Sequence, residues 1–303
     1  MKDAKEYFKT VAKADIHNHF HLGSSQDRFL NAYPKSKIIF PDKYDGLEGM
    51  IDFIYGMLNK VMLTRYDVIK FMEMSILSSI KDNVSYLEAS VDVNLVQYFD
   101  DSIDDVLNTV KELKEKYSSQ IEFRPDIGIN KDLPIEKAYR LGEAFMDSGV
   151  FHGIDLYGQE ANKDLYPFKE LFYLAKRKSL ITKVHIGEFS NANTIGETIN
   201  LLDPDELQHG INAVSSDSVL DLILEKDIQM NICPTSNVSL GAVKYLNIHP
   251  IKVLFDKGIR VTVNTDDLVL FNATVSDELN ALLGSNLFSF DEVEIIRKNG
   301  FRT

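Results

Sequence analysis

Several features that mark common protein classes are scarce in this chain of 303 residues. Cys233 is the one cysteine, which excludes an intramolecular disulfide framework and fits a reducing compartment. No apolar run is long enough to span a bilayer, and the first residues lack the apolar core of a signal peptide. We therefore expect a cytoplasmic protein that has no membrane partner.

Basic residues are also in deficit. The chain has 33 Lys and Arg against 46 Asp and Glu, a net charge of −13, which argues against nucleic acid as a partner. Hydrophobic residues make up 44% of the chain, enough for a large core. The sequence shows no linker, repeat or low-complexity tract, so we expect one domain over residues 1–303.

Short apolar runs alternate with helical patterns along the chain. The runs that predict strands are "ADIHNHF", "VSYLEASVDV", "IEFRPDIGI", "FHGIDLYG", "LITKVHIG", "LQHG", "IQMNICP" and "IRVTVNTD". The clearest helical patterns cover 65–81, 102–117, 134–147 and 215–226. A strand followed by a helix about eight times predicts a single-domain α/β fold, a (β/α)₈ TIM barrel. A doubly wound open sheet is the alternative.

The connection between the first strand and the first long helix, residues 23–64, is unusually long. Its apolar residues disfavour disorder, and they are Phe40, Phe53, Ile54, Tyr55, Met57, Leu58 and Met62. A loop after the first strand of a barrel lies at the catalytic face. We expect either a lid with short helices or a buttress packed on the barrel rim.

Three histidines occupy alternate positions in the first strand pattern. His17, His19 and His21 have the two-residue period of an extended chain, so they are expected to project from one face. An imidazole is costly to bury without a partner, which favours a polar-lined strand end or a metal site. Of the seven histidines, His152 and His249 look structural.

Further polar residues stand where other predicted strands end. They are His185 and Glu188 in "KVHIGE", His209 in "LQHG", and Asp266 and Asp267 in "NTDD". In a parallel barrel these strand ends converge on one mouth. Three imidazoles and one carboxylate suit zinc, so His17, His19, His185 and Asp266 form the candidate ligand set. The fourth strand offers "DLYGQE" and no lysine to bridge two metals, which favours one zinc per chain.

In order along the chain, "HxH", "HIGE", "HG", "CPTSN" and "HPIKVLFDKGIRVTVNTDD" resemble the adenosine deaminase family of metal-dependent barrel hydrolases. The resemblance implies that His17, His19, His185 and Asp266 bind zinc. It further implies that Glu188 donates a proton to purine N1, and that His209 and Asp267 together orient the attacking hydroxide. Asp267 is also expected to contact purine N7, and the backbone of Gly158 is expected to contact N3. With His19 and His21, Gly158 and Asp267 form the expected substrate-binding set.

The sequence also departs from that family. His21 stands where adenosine-specific members carry an acidic residue that holds the ribose 5′-hydroxyl. Ser90 replaces a frequent arginine, Leu268 replaces a proline, and the chain stops before the family's final helix is expected to be complete.

We therefore expect a zinc-dependent deaminase of a small-molecule 6-aminopurine, with adenosine or deoxyadenosine first. Free adenine or another adenine nucleoside is the alternative. A non-deaminase amidohydrolase and an inactive purine-binding homologue also remain open.

Overall fold

Eight parallel strands form a barrel in the computed structural model, which describes residues 2–161 and 163–302. The strands are β1 (Lys13–Asp15), β2 (Val84–Asp92), β3 (Glu122–Asn130), β4 (Gly153–Tyr157), β5 (Ile181–Ile186), β6 (Glu206–His209), β7 (Gln229–Ile232) and β8 (Val261–Val263). They follow one another in chain order from β1 to β8. The predicted (β/α)₈ barrel is confirmed, and the open doubly wound sheet, whose strand order reverses at a switch point, is wrong.

Helices cover the outside of the barrel. They are α1 (Lys2–Thr10), α2 (Gln26–Ala32), α3 (Gly46–Gly56), α4 (Arg65–Lys81), α5 (Ile103–Tyr117), α6 (Ile135–Asp147), α7 (Lys169–Arg177), α8 (Ala192–Leu202), α9 (Asp217–Glu225), α10 (Pro234–Ser239), α11 (Ile251–Asp256), α12 (Leu268–Phe271), α13 (Val275–Gly284) and α14 (Phe290–Asn299). The four helices predicted most clearly are present within two residues of their expected bounds. In the described ranges, no helix has both the length and the apolar character needed to cross a membrane.

Hydrogen bonds just beyond the strands join β8 back to β1. The Asp266 amide donates to the His17 carbonyl at 2.9 Å, and the His19 amide donates to the Asp266 carbonyl at 3.3 Å. Strand β1 itself ends at Asp15, earlier than the pattern "ADIHNHF" predicted. His21 lies in a turn closed by a bond from the Leu22 amide to the His19 carbonyl, so the three histidines do not share one strand face.

At the amino end of the strands, charged side chains fill the barrel. Lys183 Nζ lies 2.6 Å from both Glu88 Oε2 and Asp126 Oδ2, and all three residues are buried. Arg302 donates to both Glu88 and Glu206, and its Nη1 lies 2.7 Å from Glu206 Oε1. Such a network keeps each buried charge paired, because removing one partner would leave another charge uncompensated.

The long connection after β1 is folded and covers the mouth of the barrel. It contains α2, α3 and a 3₁₀ turn at Leu58–Lys60, held together by aromatic contacts that include Phe29 with Phe40 and Phe40 with Phe53. Ser25 caps α2 by accepting from the Arg28 amide. The helix α3 turns an apolar side toward the central cavity, so the expected helical insertion over the mouth is present.

Candidate active site

Three imidazoles and a carboxylate meet at the carboxyl ends of β1, β5 and β8. His17 Nδ1 lies 2.9 Å from the Asn231 carbonyl oxygen, which can only accept, so Nδ1 carries the proton and the Nε2 lone pair is left free. His17 Nε2 and His19 Nε2 lie 3.6 and 3.5 Å from Asp266 Oδ1. Ligand atoms of His17, His19 and His185 all lie within 4.8 Å of one another. The structure therefore brings together all four residues of the predicted ligand set.

Asp266 is held firmly in this arrangement. Its backbone has a φ of +56°, a left-handed conformation that is uncommon for a residue other than glycine. Two backbone hydrogen bonds to the β1 extension hold it there, and Ser236 Oγ donates to Asp266 Oδ2 at 2.7 Å. Ser236 belongs to the quoted "CPTSN" motif, but sequence reasoning assigned it no role.

The chemistry of this cluster fits a divalent metal ion. His17 Nε2 is buried and has no hydrogen-bond partner, an arrangement that a coordinated cation would explain. Three neutral nitrogen donors with one carboxylate match a borderline ion. Two other ligand-type triads occur in the part of the chain that the structure describes, one of His19, Asp266 and Asp267 and one of His17, His209 and Cys233. Both share a histidine with the first, so they mark the same location.

Asp155, near the end of β4, is a neighbour of this cluster that sequence reasoning missed. Its Oδ2 lies 3.2 Å from His185 Nε2 and accepts from Ser90 Oγ, while its Oδ1 is buried without a hydrogen-bond partner. Ser90 therefore donates a hydrogen bond to Asp155 at the position where family members were expected to carry arginine. The aspartate of "DLYGQE", at the end of a predicted strand, is the signal that points to this residue.

Glu188 follows β5 and is the candidate acid of the site. Burial, reinforced by repulsion from Asp266, raises the pKa of Glu188 well above its ordinary value of 4.5. Burial thus favours the protonated form of this carboxyl, the form that a proton donor needs. Asn237 Nδ2 donates to its Oε1 at 2.5 Å, and its Oε2 lies 3.7 Å from His209 Nε2.

A second carboxylate fixes the loop that carries Glu188. Glu160 accepts hydrogen bonds from the Gly187 amide at 2.8 Å and from the Glu188 amide at 3.0 Å. It also accepts from the amide and the hydroxyl of Ser190. Glu160 ends the "DLYGQE" segment and was not predicted as a site residue. Its four bonds hold the backbone of the candidate acid in one position.

His209 stands at the end of β6, facing both Glu188 and the metal-type cluster. Its φ is +66°, and the following Gly210 is also left-handed, so the chain turns sharply at the strand end. Burial, together with repulsion from His17, lowers the pKa of His209 well below 6.5 and keeps the ring neutral. His209 Nε2 lies 3.9 Å from Asp266 Oδ2.

The remaining predicted residues line one cavity of about 220 Å³ at the mouth. Gly158 has a φ of +100°, and a Cβ there would lie 2.8 Å from Asn130 Oδ1, so this position requires glycine. Asp267 Oδ1 is buried without a partner, and burial raises the pKa of Asp267. The cavity also receives His19, His185, Glu188 and His209.

His21 lies at the outer part of the same cavity. Its Nδ1 is buried and has no hydrogen-bond partner. Burial, with repulsion from His19, lowers the pKa of His21 to about 3, so the ring is neutral at physiological pH. A neutral imidazole in a cavity wall can serve a bound molecule as a donor or as an acceptor.

A (β/α)₈ barrel with clustered histidine and carboxylate side chains and a buried acid at the carboxyl ends of its strands is the arrangement of a metal-dependent hydrolase. The family described as adenosine deaminase matches residues 13–303. A provisionally named adenosine/adenine deaminase of Treponema pallidum (strain Nichols) is 34% identical over 284 residues, covering 94% of this chain and 95% of the relative. The chain therefore belongs to the adenosine deaminase family, and it is a hydrolytic deaminase.

Solved structures show the same fold at lower identity. An adenine deaminase from Arthrobacter aurescens has a TM-score of 0.81 and 21% identity, with 95% of this chain and 92% of that chain covered. The N6-mAMP deaminase of Arabidopsis has a TM-score of 0.81 and 19% identity, with 97% and 93% covered. At these identities the likeness concerns the fold.

Proposed function

We propose that this protein is a zinc-dependent deaminase that removes the 6-amino group of adenosine or deoxyadenosine and releases ammonia. One observation carries the proposal. The buried acid Glu188 and the neutral His209 face each other across 3.7 Å, beside the His17, His19, His185 and Asp266 cluster and inside one cavity. An inactive purine-binding homologue would not need an acid kept protonated beside a ligand set of this kind.

One zinc ion is held by His17, His19, His185 and Asp266. Zinc, when bound, supplies a Lewis acid that lowers the pKa of water to near neutral. The free Nε2 lone pair of His17 and the side-chain oxygens of Asp266 supply the complementary donors. The "DLYGQE" strand end contains no lysine to bridge a second metal and contributes Asp155 beside His185 instead.

The chain's own groups then perform the proton chemistry. Hydrolysis replaces the amino group at C6 with oxygen from water, which requires the ring's aromaticity to be broken. Glu188 delivers its proton to N1 for this purpose, and of the two protons of the water one goes to the amino group, which leaves as ammonia, and the other restores Glu188. The neutral His209 stabilises negative charge that develops on the oxygen arriving at C6. Asp267 contacts N7 and orients the attacking group, and Gly158 approaches N3 through its backbone.

The lining of the cavity favours an uncharged substrate. It contains Asp92, Asp132 and Glu160 and, in the described residues, no Lys or Arg. A 5′-phosphate would meet carboxylates without a cation to pair with, and like-charge contacts cost several kcal/mol. Nucleosides are therefore favoured over nucleotides.

Free adenine is the second candidate substrate. The part of α3 that faces the cavity is apolar, formed by Met50, Ile51 and Ile54. These side chains offer a ribose no hydrogen bonds, whereas His21 and Asn130 do. The balance between nucleoside and base thus rests on whether the sugar hydroxyls reach His21.

A substrate panel tests the proposal. Zinc-loaded protein is assayed for ammonia release and for loss of the aminopurine absorbance with adenosine, deoxyadenosine, adenine and AMP. We expect a nucleoside or adenine to be turned over, and AMP to have a kcat/KM at least about 100-fold lower. Turnover of a cyclic amide with none of the aminopurines would instead identify another amidohydrolase. Preferred turnover of AMP would show that the charge argument is wrong.

A further inference from the structure

A chain of hydrogen bonds leads from the start of α11 to the two candidate proton-handling groups. It begins at the Ile251 amide, which donates to His249 Nδ1 at 3.1 Å. His249 Nε2 lies 3.1 Å from Asn237 Oδ1. Asn237 Nδ2 lies 2.5 Å from Glu188 Oε1 and 3.1 Å from His209 Nδ1. Asn237 and His249 are both buried, and neither was predicted as a site residue.

The direction of every bond in this chain follows from its first member. A backbone N–H can only donate, so His249 Nδ1 accepts and the His249 ring carries its proton on Nε2. That N–H donates to the oxygen of Asn237, which fixes the orientation of the amide. The amide nitrogen therefore turns toward Glu188 and His209, where its two hydrogens are both used.

Two consequences reach the cavity. His209 Nδ1 accepts from Asn237, so His209 carries its proton on Nε2, the atom that faces Glu188 Oε2 and Asp266 Oδ2. Glu188 Oε1 accepts from the same amide, so the acidic proton of Glu188 sits on Oε2. Both hydrogens are thus carried by atoms on the cavity side, Glu188 Oε2 and His209 Nε2, which lie 3.7 Å apart.

We propose that His249 and Asn237 are positioning residues that set the tautomer of His209 and the protonated oxygen of Glu188. The backbone of Asn237 is fixed for this task, because its amide donates to the Cys233 carbonyl and its carbonyl accepts from the Val243 amide, each at 3.0 Å. His249 sits before Pro250 in an extended conformation at the start of α11, where an unpaired helix N–H is available for its Nδ1.

Without the hydrogen bond from His249 Nε2, the side-chain amide of Asn237 would no longer be held in one orientation. Asn237 could then rotate so that its oxygen accepts from Glu188 Oε1–H and from His209 Nδ1–H. In that arrangement both hydrogens point away from the cavity, while the shape and polarity of the site stay unchanged. The kinetic consequence rests on the proposed function, but the tautomer does not.

The experiment compares His249→Phe, which removes the donor, with the matched control His249→Gln, whose amide nitrogen can replace Nε2. Asn237→Asp is a second test, because it keeps the shape but cannot donate. Zinc-loaded proteins labelled with ¹⁵N-histidine are compared by NMR, and the His209 signals are identified from their loss in His209→Gln. Metal content and Tm are measured for every variant.

We expect His209 to carry its proton on Nε2 in the wild type and in His249→Gln. In His249→Phe and Asn237→Asp it should shift toward the Nδ1–H form. The kcat of His249→Phe should fall about 10- to 100-fold, the usual range for groups that orient a reacting group from one step away, with KM changed less than about 3-fold. His249→Gln should recover most of that loss.

Two outcomes would overturn the proposal. One is an unchanged His209 tautomer in both His249→Phe and Asn237→Asp. The other is a kcat loss in His249→Phe that His249→Gln does not recover, which would indicate a packing role. If wild-type protein turns over no aminopurine but the tautomer responds as expected, the proposed function fails and the positioning role stands.

Discussion

Burial raises the pKa of Glu188, so this side chain can act as a proton donor. The substitution Glu188→Gln keeps the shape and the bond from Asn237 but removes the transferable proton. We expect kcat to fall by about 10² to 10⁴, the usual contribution of general acid–base catalysis. Zinc content should stay unchanged, because Glu188 is not in the ligand set. Kinetics and metal analysis of the purified variant test this, and near-normal turnover would remove Glu188 from the proposed chemistry.

His21 is the residue by which substrate preference can be tested. Its ring lines the cavity, and a hydrogen bond to a sugar hydroxyl contributes about 1 kcal/mol. We expect His21→Ala to lower kcat/KM for adenosine several-fold while leaving adenine turnover and zinc content unchanged. Steady-state kinetics with both substrates decide the matter. An equal loss on both would show that His21 supports the mouth of the barrel instead of binding the sugar.

Single residues also mark where sequence reasoning reached its limit. The convergence of His17, His19, His185 and Asp266 was predictable because they stand at strand ends, and all strand ends of a parallel barrel meet at one face. His249 was interpreted as structural because it precedes Pro250 at a helix start. Its contact with Asn237, twelve residues earlier, depends on how α10 and α11 pack, and no local pattern encodes that packing.

At the scale of elements, the hydrophobic periodicity of the sequence predicted the helices and strands but did not predict where the chain turns. The helix α4 begins at Arg65 as expected because Thr64 and Asp67 form a capping box that is visible in the sequence. The extended pattern around His17 was read as one strand through Phe20. Bonds with Asp266 and the left-handed backbone at that residue end the regular pairing earlier. Those bonds join segments more than 240 residues apart in the chain, which a single-sequence pattern does not contain.

The packing of α13 against α10 creates a buried acid away from the proposed chemistry. Glu278 on α13 accepts from the Thr235 amide at 3.0 Å, and burial raises the pKa of Glu278 to about 8. The unfolded chain binds fewer protons than the folded chain between the ordinary pKa of 4.5 and about 8. The free energy of unfolding should therefore decrease as pH rises through this window, by up to about 1.4 kcal/mol for each pH unit.

The substitution Glu278→Gln isolates this effect from the other buried acids. The variant should lose less stability than the wild type between pH 5.5 and 8.5, even if the buried amide makes it less stable at the lower pH. Urea unfolding of both proteins at the two pH values measures the difference. Parallel changes in the two proteins would show that Glu278 ionises normally in the folded chain.

At the scale of the whole molecule, the barrel is polar at both ends of its strands for different reasons. At the amino end, Lys183 and Arg302 form ion pairs with Glu88 and Glu206. At the carboxyl end, Asp266 pairs with His17, His19 and His209, and Lys131 donates to the backbone carbonyl of His185. The first arrangement pairs acids with bases of this chain, whereas we expect the second to be completed by a bound cation.

Zinc should therefore stabilise the folded barrel as well as activate it. We expect one equivalent of zinc per chain, bound through the residues that also close the barrel between β8 and β1. Saturation at about 1,000 times the dissociation constant stabilises by roughly 4 kcal/mol, so removal by a chelator should lower Tm by roughly 5–10 °C, with reversal by added zinc. Metal analysis and calorimetry measure both quantities. In Asp266→Asn the zinc-dependent part of Tm should shrink, whereas Glu188→Gln should retain it. Two equivalents of zinc, or a Tm that does not respond to chelation, would contradict this account of how the site and the fold depend on each other.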